Sequence, residues 1–334
     1  MTTTTRPFPV PVRTVGPGSQ PAEDDALDVL PMPRLMSTFE MPHVPERVPL
    51  AVMLESAAAL QAVHERLADV DPATGATHTA RLALDALGPA ALIVTNEVLG
   101  EGEVSMRLAA VPGQRAVHIQ ESVFAGLWRC GEFDDEGRLV SYWLEAGAVP
   151  AAVWHAAAAQ SAGSHADAAA AGEAPAAIAD PVPMPEGTMN APALLAELRA
   201  RLAVHHAGGR GGQLNLSLLP LSPADKEVLA RALPAGPVAI ISRGFGNCHI
   251  GSTAVPGVWR QQFFNSVNTL ILDLVEVTTL PEVVAASAED LHDSRQRLGE
   301  LVQWMRETAI AESGEHNAPA AGPASPPASA KTVA

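Results

Sequence analysis

The stretch RGFGNCHIGSTAVPGVWRQQFFNS, residues 243–266, concentrates conformationally special residues and includes a motif that occurs twice in the chain. Its apolar flanks, at 238–241 and 258–264, are typical of β-strands. Between them, the glycines can adopt backbone angles that other residues cannot, and a proline fixes the backbone angle just before the last glycine. We therefore expect a strand, a shaped loop with a short strand at 248–252 inside it, and a second strand.

The motif is Gly257-x-Trp259-Arg260, which recurs as Gly126-x-Trp128-Arg129, 131 positions earlier. Further residues match at offsets of 131 or 134: His118 with His249, Glu145 with Glu276, Pro150 with Pro281, Leu99 with Leu233, Gly102 with Gly236 and Val104 with Val238. Because these matches keep a constant spacing over a long stretch, they predict an internal duplication of residues 51–155 and 191–310.

Each copy is predicted to contain a helix, a short strand, a second helix and four further strands. In the first copy these are 53–68, 77–84, 89–100, 103–110, 116–123, 127–133 and 138–146; in the second, 191–206, 212–219, 222–233, 237–243, 248–253, 257–264 and 268–277. Ser222 and Pro223 are typical of a helix N-cap followed by proline. Short connections favour antiparallel pairing. The fold class is therefore α+β, with helices on a mainly antiparallel sheet in each half, and the sheets either join or pack face to face.

Three segments outside the copies have biased compositions. Residues 1–50 are rich in proline and predict an extended arm, with apolar residues that could anchor it to the body or to a partner: Phe8, Leu30, Met32, Met36, Phe39 and Met41. Residues 156–190 predict a flexible Ala/Gly/Pro-rich linker. A longer helix at 281–308 should close the second copy, and residues 311–334 predict a disordered tail.

The charge balance excludes one class of partner. The chain has 37 acidic and 21 basic residues and a formal net charge of −16. Nucleic-acid binding requires clustered Lys and Arg and is not expected. A basic partner or a purely solubilising role for the acidity both remain open. The N-terminus lacks a signal-peptide apolar core, and no apolar run approaches ~18 residues, so we expect a cytoplasmic protein without stable membrane insertion.

Sequence motifs do not indicate an active centre. The glycines at 244 and 246 are followed by a predicted strand rather than the helix that a phosphate loop needs. Cys248 and His249 are neighbours in a predicted strand, so they should point to opposite faces, and Cys248 should be a buried, inert thiol.

Cys130 and Cys248 lack the C-x-x-C spacing of metal sites, although a disulfide between them stays open. Adjacent His205 and His206 do not share a helix face. We predict no metal, no cofactor and no enzymatic activity.

The glycine-rich loop occurs in the second copy alone, because the equivalent first-copy residues 109–114 form an ordinary loop. The second copy is therefore the better candidate for a functional site. The predicted partner-binding residues are Gly244, Phe245, Gly246, Asn247, Cys248, His249, Pro256 and Trp259. Residues present in both copies, such as Trp128 and Trp259, are expected to maintain the repeat fold.

Four segments together resemble one family: GPGSQP (16–21), LPMPRLMSTFEMP (30–42), GNCHIGSTAVPGVWRQQFFNS (246–266) and LILDLVEVTTLPEV (270–283). They are similar to the HupH/HyaF/HoxQ family of hydrogenase expression and formation proteins, over nearly the whole chain apart from the linker and the tail. The resemblance implies a cytoplasmic, non-enzymatic chaperone for the iron–sulfur small-subunit precursor of a membrane-bound uptake [NiFe]-hydrogenase before export. Other maturation proteins are implied as further partners, and the family provides no catalytic residues to transfer.

Two alternatives to this chaperone role remain open. The first is a thiol or redox factor that uses Cys248, and the second is an iron–sulfur-handling factor that borrows ligands from its partner. In the chaperone hypothesis, residues 244–260 and the Pro-rich arm contact the precursor, and the acidic surface helps to hold its arginine-bearing leader.

Overall fold

The computed structural model describes residues 48–68, 70, 81–158, 178, 182–244 and 247–316. The helices are α1 (Leu50–Leu67), α2 (Pro89–Leu99), α3 (Ala191–His206), α4 (Pro223–Ala232) and α5 (Ala288–His316), and residues 151–158 are also helical. The strands are β1 (Leu82–Ala83), β2 (Val104–Leu108), β3 (Ala116–Glu121), β4 (Leu127–Phe133), β5 (Leu139–Ala146), β6 (Gly212–Asn215), β7 (Ala235–Ser242), β8 (Asn247–Thr253), β9 (Val258–Phe264) and β10 (Leu270–Val277). The predicted arm before residue 48, most of the predicted linker and the tail after residue 316 lie outside the described residues.

The strands of the described residues form one antiparallel sheet in the order β1-β5-β4-β3-β2-β7-β8-β9-β10-β6. The two copies occupy opposite halves of this sheet and join edge to edge through β2 and β7. At the centre of the joint Met106 pairs with Ile240, and these are equivalent positions because they differ by 134. Each copy therefore presents the same edge strand to the other, as in an isologous two-fold dimer.

The duplication explains the recurring Gly-x-Trp-Arg motif. Gly126 and Gly257 have φ angles of 80° and 75°, a left-handed backbone that favours glycine. Trp128 and Trp259, two residues later, are both buried. Their indole N–H groups donate to backbone carbonyl oxygens after the last long strand of each copy, at 2.8 and 3.1 Å. The predicted structural role of these residues is confirmed.

A second pair of recurring glycines marks a close backbone approach. A Cβ atom on Gly102 would collide with the carbonyl oxygen of Ser122, and one on Gly236 would collide with that of Thr253. Ser122 and Thr253 are themselves equivalent, since both hydroxyls accept the N–H two residues later, at 3.1 and 3.2 Å. The shared spacing in the sequence thus reflects shared contacts.

The two faces of the sheet are covered differently. On the face that we call the core face, the helical residues 151–158 pack against apolar side chains of both copies, including Ile119, Trp143, Ile240 and Trp259. On the opposite face the helices cover the outer strands. In the first copy the Tyr142 hydroxyl donates to Asn96 Oδ1 of α2 at 2.8 Å. In the second copy α3 and α4 pack against apolar side chains of β9 and β10.

Helix α5 follows the second copy in sequence but packs on the first. It lies along α1, and a Cβ atom on Gly299 would touch the imidazole of His64. Leu291, near its start, lies against Gly126 in the turn between β3 and β4. The helix that follows the second copy therefore packs on the half of the sheet that the first copy forms.

Two predicted element boundaries are wrong, for local reasons. The last helix begins at Ala288 instead of 281, because Ser287 is its N-cap and accepts the Asp290 N–H at 3.1 Å, and the helix continues to His316. The predicted strand 212–219 ends at Asn215, whose side chain accepts the Ser217 N–H at 3.0 Å and starts a 3-10 turn. Of the predicted strand 77–84, residues 77–80 lie outside the described residues, and the described part contains a strand at 82–83.

Candidate functional site

The glycine-rich loop connects β7 to β8 at one end of the sheet. A Cβ atom on Gly244 would collide with the carboxylate Oε2 of Glu103, and the Arg243 N–H donates to the Glu103 carbonyl oxygen at 3.1 Å. Glu103 therefore lies directly against the loop, and a side chain at 244 would have to displace its carboxylate. The other two predicted loop residues, Phe245 and Gly246, lie outside the described residues.

The turn between β9 and β10 lies at the same end of the sheet and is bonded to the base of the loop. The Asn247 side-chain N–H donates to Asn268 Oδ1 at 3.0 Å. Asn268 has a φ angle of 57°, the one positive φ among the described non-glycine residues. Such a backbone costs free energy and is enriched at functional sites. Sequence reasoning missed Asn268, although at the offset of 131 it aligns with a glycine, Gly137, whose φ angle is 76°.

The corresponding turn of the first copy has the same backbone bonds but a different tip. Asp134 Oδ1 accepts the N–H groups two and four residues later at 3.1 and 2.8 Å. Asn265 Oδ1 accepts the equivalent groups at the same two distances. The first turn carries Glu136 and Arg138, which pair with each other. The second instead presents Val267, which is 63% exposed.

Taken together, the loop and this turn form what we call the glycine-loop end: residues 243–244, 247 and 265–269. The two copies have the same turn geometry, so the two turns differ only in the side chains that they expose. A charged, internally paired tip in one copy is replaced by an uncharged, partly apolar tip in the other. That combination suits contact with another protein better than it suits a reaction.

The neighbouring residues Cys248 and His249 point to opposite faces, as predicted. Cys248 lies in the core-face cluster and is 7% exposed. Burial raises the pKa of its thiol to about 11. His249 is exposed on the opposite face, where its ring centroid lies 4.9 Å from that of Phe264. The pair cannot act as a nucleophile and its base, because the imidazole is on the other side of the sheet.

The remaining predicted residues, Pro256 and Trp259, are buried and shape the turn before β9. Of the candidates that the structure describes, Gly244 and His249 are exposed, and Asn247 is half-buried. Cys248 is buried beneath the base of the loop, whereas Pro256 and Trp259 are buried at the other end of β8, where Ser252 pairs with Trp259. Direct contact with a partner at this end is therefore open to the first three. Cys248 can act only by maintaining the shape of the loop, and the structure does not bring Pro256 and Trp259 to this end of the sheet.

A disulfide between Cys130 and Cys248 is excluded by the strand order. Both are free and buried, and three strands separate β4 from β8. Four strand spacings correspond to about 19 Å, whereas a disulfide requires Cα atoms within about 7 Å. Among the described residues, no group of three or more His, Cys, Asp or Glu side chains could hold a metal ion.

Alkylation kinetics should report the environment of Cys248. In a Cys130→Ala background, we expect iodoacetamide at pH 7.5 to modify native protein at least about 100-fold more slowly than urea-unfolded protein, because a pKa about two units higher lowers the thiolate fraction by that factor. Mass spectrometry over time measures both rates. A native rate equal to or above the unfolded rate would contradict the buried-thiol assignment and favour a thiol-redox role.

Within the described part of the chain, no helix combines the length and apolarity needed to span a bilayer. The longest, α5, has acidic residues in its first turn and charged residues along its length.

Comparison with known proteins gives consistent matches. The family model for the HupH hydrogenase expression protein, C-terminal conserved region, matches twice, at residues 53–172 and 188–305. The chain is 41% identical to the hydrogenase expression/formation protein HoxQ of Cupriavidus necator, over 89% of this chain and 98% of that protein. It is 38% identical to HupH of Rhodobacter capsulatus, over 90% and 98% of the two chains. It is 33% identical to the hydrogenase-1 operon protein HyaF of Escherichia coli K12, over 88% and 96%.

One solved structure is also similar in sequence. The hydrogenase expression protein HupH from Thiobacillus denitrificans is 31% identical and matches 35% of this chain and 96% of its own, with a TM-score of 0.32. The double match of the family model agrees with the duplicated α+β fold described above.

Proposed function

This chain belongs to the family of HupH hydrogenase expression proteins, and we propose that it is a non-enzymatic chaperone acting in hydrogenase maturation. Its proposed client is the iron–sulfur small-subunit precursor of a membrane-bound uptake [NiFe]-hydrogenase, bound in the cytoplasm before export. The names of the relatives, which are hydrogenase expression/formation proteins, support the maturation role.

The observation that best supports a binding role is the glycine-loop end. Its turn has the backbone of the first-copy turn, yet Val267 and Asn268 replace Glu136 and Gly137. An exposed valine and a non-glycine residue at positive φ both cost stability or solubility. We propose that this cost is offset by contact with the client.

The net charge of −16 supports a second element of the proposal. An acidic surface attracts a basic segment, such as an arginine-bearing leader, and mainly increases the association rate. The affinity that remains at moderate salt would then come from the apolar part of the contact, because screening weakens only the exposed charges.

A pull-down with purified components tests this function. Tagged protein should capture the small-subunit precursor, and capture should weaken when the leader is deleted. Val267→Glu places the first-copy charge on the second-copy tip and should weaken capture about tenfold, which corresponds to about 1.4 kcal/mol. Gly246→Val should also weaken capture. Cys248→Ala should have little effect if the thiol is structural.

The matched control is Leu218→Glu. Leu218 is 79% exposed but lies in the 3-10 turn after the edge strand β6, so its replacement should leave capture unchanged. Failure to retrieve any hydrogenase subunit under every condition would refute the chaperone proposal. Equal losses for Val267→Glu and Leu218→Glu would instead refute the assignment of the contact to the glycine-loop end.

A further inference from the structure

A cavity of about 1140 Å³ lies on the core face of the first copy. One wall is the loop 109–115 between β2 and β3, the other is formed by the helical residues 151–158, and Leu108 and Val117 form the floor. Because β2 and β7 are antiparallel, this loop lies at the end of the sheet opposite the glycine-loop end. Ligand sites commonly have volumes of about 300–1,000 Å³, so the cavity is large enough to be one.

Ionisable side chains line this cavity at positions where the second copy has none. Glu132 lies opposite Val117 in the β3–β4 ladder and points to the core face with it. Its equivalent 131 positions later, Phe263, packs against the core-face cluster. Two further lining residues differ from their equivalents in the same way: Asp135 from Ser266, and His155 from Ala286. An ionisable group in place of a packed apolar side chain gives up stability, and such losses are typical of functional sites.

The carboxylates that line the cavity are incompletely paired. Glu132 Oε2 lies 3.5 Å from Arg115 Nη1, farther than the roughly 2.7–2.9 Å of a strong charge-assisted hydrogen bond. Within the part of the chain that the structure describes, the Asp135 carboxylate has no hydrogen-bond or ion-pair partner. With histidine neutral, two carboxylates and one guanidinium leave the cavity with a net negative charge, which favours a cationic group.

The rim of the cavity also presents backbone groups to a ligand. The Ala109 N–H donates to the Pro237 carbonyl oxygen at 2.8 Å, and Val111 and Gln114 bond each other at the tip of the loop. Between these bonds lies Ala110, an exposed residue whose backbone N–H and carbonyl groups have no partner among the described residues. A peptide can pair with such groups while its apolar side chains lie on the floor of the cavity.

We propose that this cavity binds a short segment of the client protein in which a Lys or Arg side chain lies between apolar residues. The basic side chain bonds the carboxylates of Glu132 and Asp135, and its apolar neighbours cover Leu108 and Val117. This inference rests on the proposed function, because it takes the hydrogenase precursor as the source of the segment.

Two other occupants fit the cavity less well. Residues 159–177 follow the helical wall directly in sequence, but they include Asp167 and Glu173 and no Lys or Arg. A second copy of the chain brings a net charge of −16 to a cavity that is already negative. Repulsion between like charges therefore disfavours both occupants.

The affinity of charge-neutral variants for purified precursor tests the electrostatic part of the proposal. Glu132→Gln combined with Asp135→Asn should weaken binding at least about tenfold at a fixed salt concentration, measured by surface plasmon resonance. The matched control, Glu227→Gln with Asp293→Asn, changes the net charge equally but at two exposed ion pairs of 3.6 and 3.7 Å on α4 and α5. It should weaken binding less than about twofold. Equal losses for the two double variants would overturn the inference.

Filling the cavity provides a test that leaves its charges unchanged. Ala110→Trp places a large side chain at the rim and should weaken binding at least about tenfold. Because Ala110 is exposed, the variant should keep the stability of the natural protein, which urea denaturation checks. Leu218→Trp, at an exposed position outside the cavity, is the control and should bind normally. Normal binding by Ala110→Trp would overturn the inference.

Photo-crosslinking identifies the bound segment. Full-length chains carrying p-benzoylphenylalanine at Ala110 or at His155, on opposite walls of the cavity, should each crosslink to the same segment of the precursor, and that segment should contain a Lys or Arg. A probe at Leu218 should give no such crosslink. Asp135→Lys should weaken binding, and replacing the basic residue of the crosslinked segment by Glu should restore it.

The outcomes separate this inference from the proposed function. Crosslinks to residues 1–47 of the same chain, to a second copy, to a client segment without Lys or Arg, or to no protein would overturn the inference. If the precursor is captured in the pull-down but the cavity variants bind it normally, the cavity proposal is wrong and the chaperone proposal stands. If the precursor is not captured by any form of the protein, the proposed function fails and this inference fails with it.

Discussion

Replacing Glu145 with alanine is expected to lower the free energy of unfolding by about 3 kcal/mol, because two buried donors lose their acceptor at ~1–3 kcal/mol each. Glu145 is fully buried. Its Oε1 accepts the Trp143 indole N–H at 2.8 Å, and its Oε2 accepts the Ala151 N–H at 2.9 Å. The second bond ties the first turn of the helical residues 151–158 to the sheet. Urea denaturation monitored by circular dichroism measures the change.

Two variants separate the contributions to this effect. Arg81 also bonds Glu145, at 3.0 Å, and its side chain is 53% exposed; Arg81→Ala should cost less than Glu145→Ala, because Glu145 still accepts both of its buried N–H donors. Glu276, the equivalent of Glu145, is only half-buried and bonds Gln261. Glu276→Ala should therefore cost clearly less than Glu145→Ala. Equal losses for the two glutamates would contradict the role assigned to burial.

The stability of the protein should fall by roughly 3 kcal/mol between pH 4.5 and pH 7 because of Glu121, at about 1.4 kcal/mol per pKa unit. Burial raises the pKa of Glu121 to about 7. The charges of Glu103 and Asp290 also raise it, and hydrogen bonds from the Gly126 and Val104 backbones oppose the rise. Because the folded state binds this proton more tightly than the unfolded state, the stabilisation is complete below pH 4.5 and is lost as the pH passes 7.

Glu121→Gln removes the titrating group while keeping a neutral side chain of similar shape. The variant should match the natural protein near pH 4 and exceed its stability near pH 8. Glu136→Gln, at an exposed position in the turn between β4 and β5, is the control and should leave the pH profile unchanged. The assignment is wrong if the stability difference between Glu121→Gln and natural protein is the same at both pH values.

The duplication and most of the strands were predictable because they depend on local patterns. The Gly-x-Trp-Arg motif requires a left-handed glycine next to a buried tryptophan, and that requirement produces the same spacing in both copies. The Ser222-Pro223 helix start is confirmed, with a reciprocal capping box between Ser222 and Asp225. Predictions were wrong where one side chain changed a boundary, as Asn215 and Ser287 did.

The candidate site was predictable only in part. Glycine spacing correctly identified the loop before β8, and alternation correctly placed Cys248 and His249 on opposite faces. The turn at 265–269 was missed because its backbone resembles that of the first copy, and its significance lies in what Val267 and Asn268 expose. The offset of 131 shows the substitutions in the sequence, but only the structure shows that the backbone is shared and that Val267 is exposed.

The sequence by itself determined the fold class, the two copies and the position of the special loop, because periodicity, glycine chemistry and fixed spacing all act over short distances along the chain. Only the tertiary structure decided that the copies join through β2 and β7 and that α5 returns to the first copy. These features depend on pairing between segments more than 100 residues apart. The local sequence pattern shows that a strand or helix has an apolar side, but it does not show which distant element packs against that side. Which partner each element meets is selected by the packing of the whole core.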